Sequence, residues 1–243
     1  MPDQGVIASA TLQVRARGKN DAVTYGFSEV PVEVLFAAGP WRTFRWHLGQ
    51  ARYSGAYWSA TEADLVVYES RLELARLLYA DFDPRVRRII AQPFRMTAHV
   101  DGATRAHVPD YLLLADTGPV VVDVKPAHRL SKEEVAFTFA WSRKVIESRG
   151  WGYQVWSEPP VAELENLRFL AGFRREWLFA PEILEALDRA ELDGAPLAEA
   201  FAMAPEFDSR LARASVFHQM WAGRLTTDLK TPLGPGHVLR RAV

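Results

Sequence analysis

Residues 107–125, HVPDYLLLADTGPVVVDVK, decide how the rest of the chain is read. Two apolar runs, 111–115 and 120–122, flank the turn formers Asp116, Thr117, Gly118 and Pro119. That pattern predicts a β-hairpin. Asp110 opens its first strand and Asp123 closes its second, and in an antiparallel pair those ends lie opposite each other at one edge. Side chains alternate along a strand, so Asp123 and Lys125 share a face and Val124 takes the other. Two carboxylates and a lysine at the ends of apolar strands are costly to bury unless they pair or bind a metal. That cost is the first argument for a functional site.

At 243 residues the chain is long enough for one main domain with additions. Its 49% hydrophobic and 24% charged residues are ordinary globular values and argue against disorder. Cysteine is absent, which excludes disulfides and thiolate metal sites and makes a reducing cytoplasm the expected compartment. The N-terminus MPDQGVIASA lacks a signal pattern and no apolar run reaches membrane-spanning length, so a soluble, unexported protein with no membrane partner is expected. A net charge of −1 means that a nucleic-acid partner would be held by local basic patches. Of the 29 basic residues 24 are Arg, which suits bidentate phosphate contacts.

Working outward, residues 1–60 read as a β-rich N-terminal extension, with strand-like runs at 6–16 and 30–36 around a turn at 18–21. Within it, Trp41, Phe44, Trp46, Tyr53, Tyr57 and Trp58 interleave with Arg42, Arg45 and Arg52. Such a pattern suits stacking on bases, or sealing the extension onto a core. A helix is expected from the capping-box pattern at 61–64 through Leu65, Tyr68, Leu72, Ala75 and Tyr79 to a stop at Asp83-Pro84. Glu69 and Glu73 lie one turn apart beside its apolar stripe, so either could face a site beside the sheet. Residues 86–100 are β-like, with Pro93 marking an edge or a bulge. After the hairpin, a capping-box pattern at 131–134 opens a helix carrying Val135, Phe139, Ser142 and Ile146 that ends at Gly150, and WGYQVW at 151–156 makes a last strand. Residues 61–160 therefore give helix, three strands, helix, strand: an α/β core on a mixed sheet. Beyond Pro159-Pro160, residues 161–243 read as short helices followed by a hairpin, the outline of a winged-helix-like domain.

Carboxylate oxygens select hard cations such as Mg²⁺ or Mn²⁺, which take few protein ligands and complete their shell with water and phosphate oxygens. Asp110, Asp123 and one helix glutamate supply that kind of shell. Lys125 adds a fixed positive charge that can hold a water or stabilise a transition state. The expected chemistry is metal-dependent hydrolysis of a phosphodiester.

At these residues the chain resembles the PD-(D/E)xK nuclease superfamily, whose core is αβββαβ on a mixed sheet, the restriction-endonuclease-like fold. More narrowly it resembles the TnsA family, the endonuclease subunits of Tn7-like heteromeric transposases. The likeness is carried by Glu69-Ser70-Arg71-Leu72-Glu73, Asp81-Phe82-Asp83-Pro84, Gln92-Pro93, Pro109-Asp110-Tyr111 and Asp123-Val124-Lys125-Pro126. Gly49-Gln50, Tyr53-Ser54-Gly55 and Tyr57-Trp58-Ser59 resemble the upstream part of some members. By position the resemblance selects Glu73 over Glu69. It implies a catalytic set of Glu73, Asp110, Asp123 and Lys125, with Glu73, Asp110 and Asp123 holding Mg²⁺ or Mn²⁺ and Glu69 in reserve. It also implies double-stranded DNA at transposon ends as the substrate, cut at the 5′ ends. A DDE transposase that cuts the 3′ ends and an AAA+ ATPase regulator are the implied partners.

Other residues are weighed against ordinary structural roles. Gln92 could orient a metal-bound water, although Gln-Pro at a bulge is commonly structural. His107 and His128 flank the site, Arg85, Arg87 and Arg88 form a basic cluster that could face DNA, and His218 reads as core or interface. No Gly-rich phosphate loop occurs, which argues against ATP use. An independent restriction or repair nuclease of the same superfamily is the alternative. A non-catalytic relative is disfavoured because all four site residues are present.

Overall fold

The computed structural model describes residues 2–42 and 53–242. In chain order the elements are α1 (Pro2–Ala8), β1 (Thr11–Arg15), β2 (Ala22–Gly26), α2 (Val32–Phe36), β3 (Gly55–Ser59), β4 (Asp64–Tyr68), α3 (Arg71–Phe82), β5 (Val86–Ala91), β6 (Arg95–Val100), β7 (Ala103–His107), β8 (Tyr111–Ala115), β9 (Gly118–Val124), α4 (Ala127–Leu130), α5 (Glu133–Glu147) and β10 (Gly152–Trp156). After them come α6 (Val161–Leu170), α7 (Pro181–Arg189), α8 (Leu197–Ala200), α9 (Ser209–Trp221), β11 (Leu225–Thr226) and β12 (Arg240–Arg241). The chain forms two compact units, one of Met1–Ala80 with Arg85–Glu158 and one of Asp81–Pro84 with Pro159–Val243.

The first unit is a mixed α/β structure, compatible with a nuclease fold. Its central sheet has the order β10-β9-β8-β5, antiparallel except where β9 meets β10 in parallel. Within the β8–β9 hairpin Ala115 faces Gly118 and Tyr111 faces Val122, so the turn is Asp116-Thr117. Gly118 has φ +108°, a conformation that costs glycine nothing. Strand β9 lies between two neighbours with Val121 and Val122 fully buried, which is why it reads as an unbroken apolar run.

A second four-stranded sheet, β2-β1-β6-β7, is antiparallel throughout. The chain leaves the central sheet at Gln92-Pro93, builds the β6–β7 hairpin against β1, and returns at Asp110. Five strands, not the expected three, thus lie between α3 and α5, and three of them belong to the central sheet. One continuous core joins the sheets: Leu12, Val14, Phe94 and Met96 pack in the same cluster as Leu112, Val121, Phe139 and Ile146. The N-terminal stretch is therefore built into the first unit.

Several local expectations are corrected. Residues 61–68 are not helical: Asp64–Tyr68 is a strand paired with Gly55–Ser59. Ala63 turns the chain at φ +50° and the Glu62 carboxylate is spent on Arg88 and the Ile89 N–H, so the pattern at 61–64 caps nothing. The β-branched pair Val66-Val67 and Tyr68 suit a strand, and Leu65, counted in the helical stripe, is 57% exposed. Residues 2–8 are helical rather than the start of a strand, and 32–36 form a short helix after the extended Pro31. Pro at such an entry is pre-set for a helix start and outweighs the β propensity of VEVLF. The helix expected from 131 begins at Glu133 with Lys132 as its cap residue and no side-chain capping bond.

The second unit holds α6 to α9 and a two-residue ladder in which Leu225 faces Arg241. Phe217 packs edge-on to Phe169 with ring centres 4.8 Å apart, and the buried Asn166 amide donates to Leu229 O and Thr231 O, tying down the turn that precedes the last strand. His218 is buried, its Nδ1 2.8 Å from Phe173 O and its ring stacked on Phe179; burial holds its pKa below the ordinary value. It is a core residue. Among the described residues no helix is long and apolar enough to cross a membrane.

Candidate active site

The hairpin register places Asp110 and Asp123 at the same end of β8 and β9, one step beyond the Tyr111–Val122 pair. They line a cleft of about 870 Å³ together with Glu69, Glu73, Gln92, His107 and Lys125. The cations Arg42, Arg71, Arg95 and Arg129 line the same cleft.

Glu73 reaches it from the first turn of α3. Ser70 precedes that helix and its hydroxyl oxygen accepts the Glu73 N–H at 3.1 Å. The Glu73 carboxylate in turn accepts the Ser70 hydroxyl at 2.9 Å and the Glu69 N–H at 2.7 Å. The capping box is therefore Ser70-x-x-Glu73, and the same bonds that start the helix aim the glutamate. Replacing Ser70 by Ala is expected to cost about 1 kcal/mol. Thermal denaturation should show a melting temperature lower by about 2–4 °C.

Asp110 is half-buried, and its Oδ2 accepts the Val124 N–H at 2.6 Å. Burial raises its pKa well above the carboxylate range, and the nearby charges of Glu73 and Asp123 raise it further. Glu73 is raised too, chiefly by burial. Lys125 opposes both shifts. Its main-chain N–H donates to Trp156 O at 2.9 Å, which sets the backbone, and its ammonium nitrogen lies 5.9 Å from the Phe139 ring centre. Among the described residues it forms no direct ion pair.

Asp123, 2% exposed, is held from two sides. His107 Nε2 lies 2.8 and 2.9 Å from its two oxygens, and the Tyr153 hydroxyl donates to Oδ2 at 2.5 Å. Burial, then the Asp123 charge, push the Tyr153 pKa far up, so the phenol stays a donor.

Gln92 is a structural hub. It holds φ +47°, a costly conformation for a residue with a side chain. Its N–H donates to Asp110 O, its carbonyl accepts from the Trp41 N–H, its Oε1 accepts from the Arg42 N–H and its Nε2 donates to Glu69. Glu69 is further paired with Arg42 at 2.9 Å. Both therefore serve contacts within the protein. His128 is exposed on α4.

The structure does not bring Arg87 or Arg88 to the cleft. They lie toward the opposite end of β5 from Gln92, where Arg87 pairs with Asp116 and Arg88 with Glu62. Of the aromatic and arginine-rich segment, Trp41, Arg42 and Tyr53 reach the cleft, with Arg71 over the Tyr53 ring at 4.2 Å, while Phe44, Arg45, Trp46 and Arg52 lie outside the described residues. Tyr153 escaped the sequence reading, since only the parallel pairing of β10 with β9 brings it beside Asp123.

Among the described residues no group of three or more His, Asp or Glu is arranged to hold a metal ion. Both Glu73 oxygens accept hydrogen bonds at the start of α3. The half-buried Asp110 and the buried Asp123, two mutually repelling acids, fit a hard cation of the kind that takes one or two protein carboxylates and leaves its other positions to water and phosphate.

The central sheet thus gathers two acids and a lysine at the ends of two adjacent strands. Residues 83–158 match the family model for the TnsA-like endonuclease N terminal, which supports a TnsA-like endonuclease. The matched stretch holds Asp110, Asp123 and Lys125, and Glu73 lies before it. No curated protein matches the chain.

Proposed function

We propose that this protein is the endonuclease subunit of a Tn7-like transposition system, hydrolysing phosphodiester bonds at the 5′ ends of the transposon with Mg²⁺ or Mn²⁺. The observation that carries this reading is the convergence of Asp110, Asp123 and Lys125 on one cleft within the stretch that matches the TnsA-like family. Asp110 and Asp123 would hold the cation, with Glu73 adding the third negative charge. Bound there, a divalent ion supplies Lewis acidity toward a phosphate and an acidified water. Lys125 faces the same space and neutralises charge that develops on the phosphate oxygens. Arg71, Arg95 and Arg129 along the cleft suit the DNA backbone, as expected for a protein without a net positive field. The order of α3, β5, β8, β9, α5 and β10 suits the αβββαβ core of the PD-(D/E)xK superfamily, with β6–β7 then an insertion. The helices and short ladder of the second unit suit a winged-helix-like domain that engages DNA or partners, and the working compartment is the cytoplasm.

The test is nicking of supercoiled DNA carrying transposon ends, with Mg²⁺, Mn²⁺ or chelator. It is run with and without the DDE transposase and AAA+ ATPase of the same system. Cation-dependent cuts at the 5′ ends, stimulated by the partners, support the proposal. Equal cutting of DNA without ends, in the absence of partners, points instead to an independent restriction or repair nuclease. No cutting under any condition sinks the enzymatic reading.

A further inference from the structure

Asp123 has few oxygen lone pairs to spare. A carboxylate offers about four acceptor positions, two between its oxygens and one on the outer side of each. His107 Nε2, 2.8 Å from Oδ1 and 2.9 Å from Oδ2, sits astride both oxygens in the place a chelated cation would take. The Tyr153 hydroxyl occupies Oδ2 from the other side at 2.5 Å. What remains is the outer position of Oδ1.

The two donors come from different parts of the fold. His107 ends β7, in the hairpin inserted between two central strands, and Tyr153 lies on β10, where Val155 faces Asp123 and Tyr153 is two residues back on the same side. Both rings are braced by α5: Phe139 packs edge-on to His107 at 6.3 Å and to Tyr153 at 6.5 Å, and Trp141 to His107 at 6.4 Å. Arg143 lies over the Tyr153 ring at 4.9 Å. Neither donor can swing away without disturbing the core.

We infer that His107 and Tyr153 are positioning residues that present Asp123 to a cation through Oδ1 alone, and so set which divalent ion the site accepts. The inference rests on the cation-binding role proposed for Asp123. A carboxylate restricted to one oxygen suits Mg²⁺ and Mn²⁺, whose ligands are octahedral. It handicaps Ca²⁺, which draws on chelating carboxylates to fill a larger shell. Partners of this kind around metal ligands typically change affinity by about 10–100-fold when removed.

The experiment titrates Mn²⁺ into the full-length protein by electron paramagnetic resonance, with Ca²⁺ as competitor, so that the readout does not depend on cleavage. Tyr153→Phe and His107→Ala are each expected to weaken Mn²⁺ binding about tenfold and to shift the Ca²⁺-to-Mn²⁺ affinity ratio toward Ca²⁺. His107→Gln, which returns an N–H donor, should recover most of the Mn²⁺ affinity. Tyr153→Phe keeps the ring packing, and His107→Gln serves as a second folded variant. Wild-type Mn²⁺ affinity and ion ratio in both Tyr153→Phe and His107→Ala, alongside lost binding in Asp123→Asn, would overturn the inference while leaving the proposed function standing. Unchanged Mn²⁺ binding in Asp123→Asn would instead remove the role of Asp123 on which both rest.

Discussion

Lys125→Ala is expected to lower cation-dependent nicking by about 10²–10³-fold, the usual loss when one preorganised charge is removed from a developing oxyanion. The melting temperature should hardly move. Lys125 forms no direct ion pair among the described residues, and the backbone bonds that fix it, to Trp156 O and from the Ser157 hydroxyl, survive the substitution. Asp123→Ala should abolish nicking as fully, but it differs in stability. It strands the His107 and Tyr153 donors in a buried site, at about 1–3 kcal/mol for an unsatisfied group. Single-turnover cleavage and thermal melts of both variants separate the effects. Full nicking by Lys125→Ala would refute its assignment to the site.

Asp110→Asn should make the cation-free protein more stable while removing its activity. The wild-type carboxyl is desolvated and faces the charges of Glu73 and Asp123, which raises its pKa well above the ordinary range. A folded-state pKa above the unfolded one means that the native protein binds the proton more tightly. Stability is then greatest in acid and falls as pH rises from about 4 through the raised pKa. Asparagine carries no charge and still offers an oxygen to the Val124 N–H. A gain of ~1–2 kcal/mol at neutral pH is expected, as for other site residues that trade stability for function. That corresponds to about 2–8 °C in melting temperature, with a flatter pH dependence than wild type. Adding Mg²⁺ should stabilise the wild type more than the variant. A variant that melts below wild type in chelator at pH 7 would show that the carboxylate is not under electrostatic strain.

Both predictions depend on a site whose strand half was legible in the sequence. Turn residues at 116–119 between two apolar runs left one register for the hairpin, and that register alone puts Asp110 opposite Asp123. The helix glutamate was legible for a different reason. The spacing from Leu65 to Tyr79 suggested one long helix and the wrong cap, because a strand and a helix abut there with matching apolar positions; Ser70-x-x-Glu73 was the true cap. Glu73 could be preferred to Glu69 only by resemblance. In the structure Glu69 is engaged by Arg42 and Gln92.

By itself, the sequence determined what local chemistry can determine: the hairpin, the acids and lysine at its ends, and the helix and strand that follow. Turn propensity, alternation and the cost of burying charge act over a few residues and leave their mark on neighbouring positions. Tertiary structure decided the rest. That β6 and β7 leave the central sheet to pair with β1, that β10 runs parallel to β9, and that His107 and Tyr153 close on Asp123 all depend on contacts between residues as far apart as 86 positions in the chain, as at Thr11 and Thr97. No local pattern encodes such pairings, because they are selected by the burial of a shared core. The hairpin 107–125 brings the acids to one edge, and the surrounding sheets decide how Asp123 is held there.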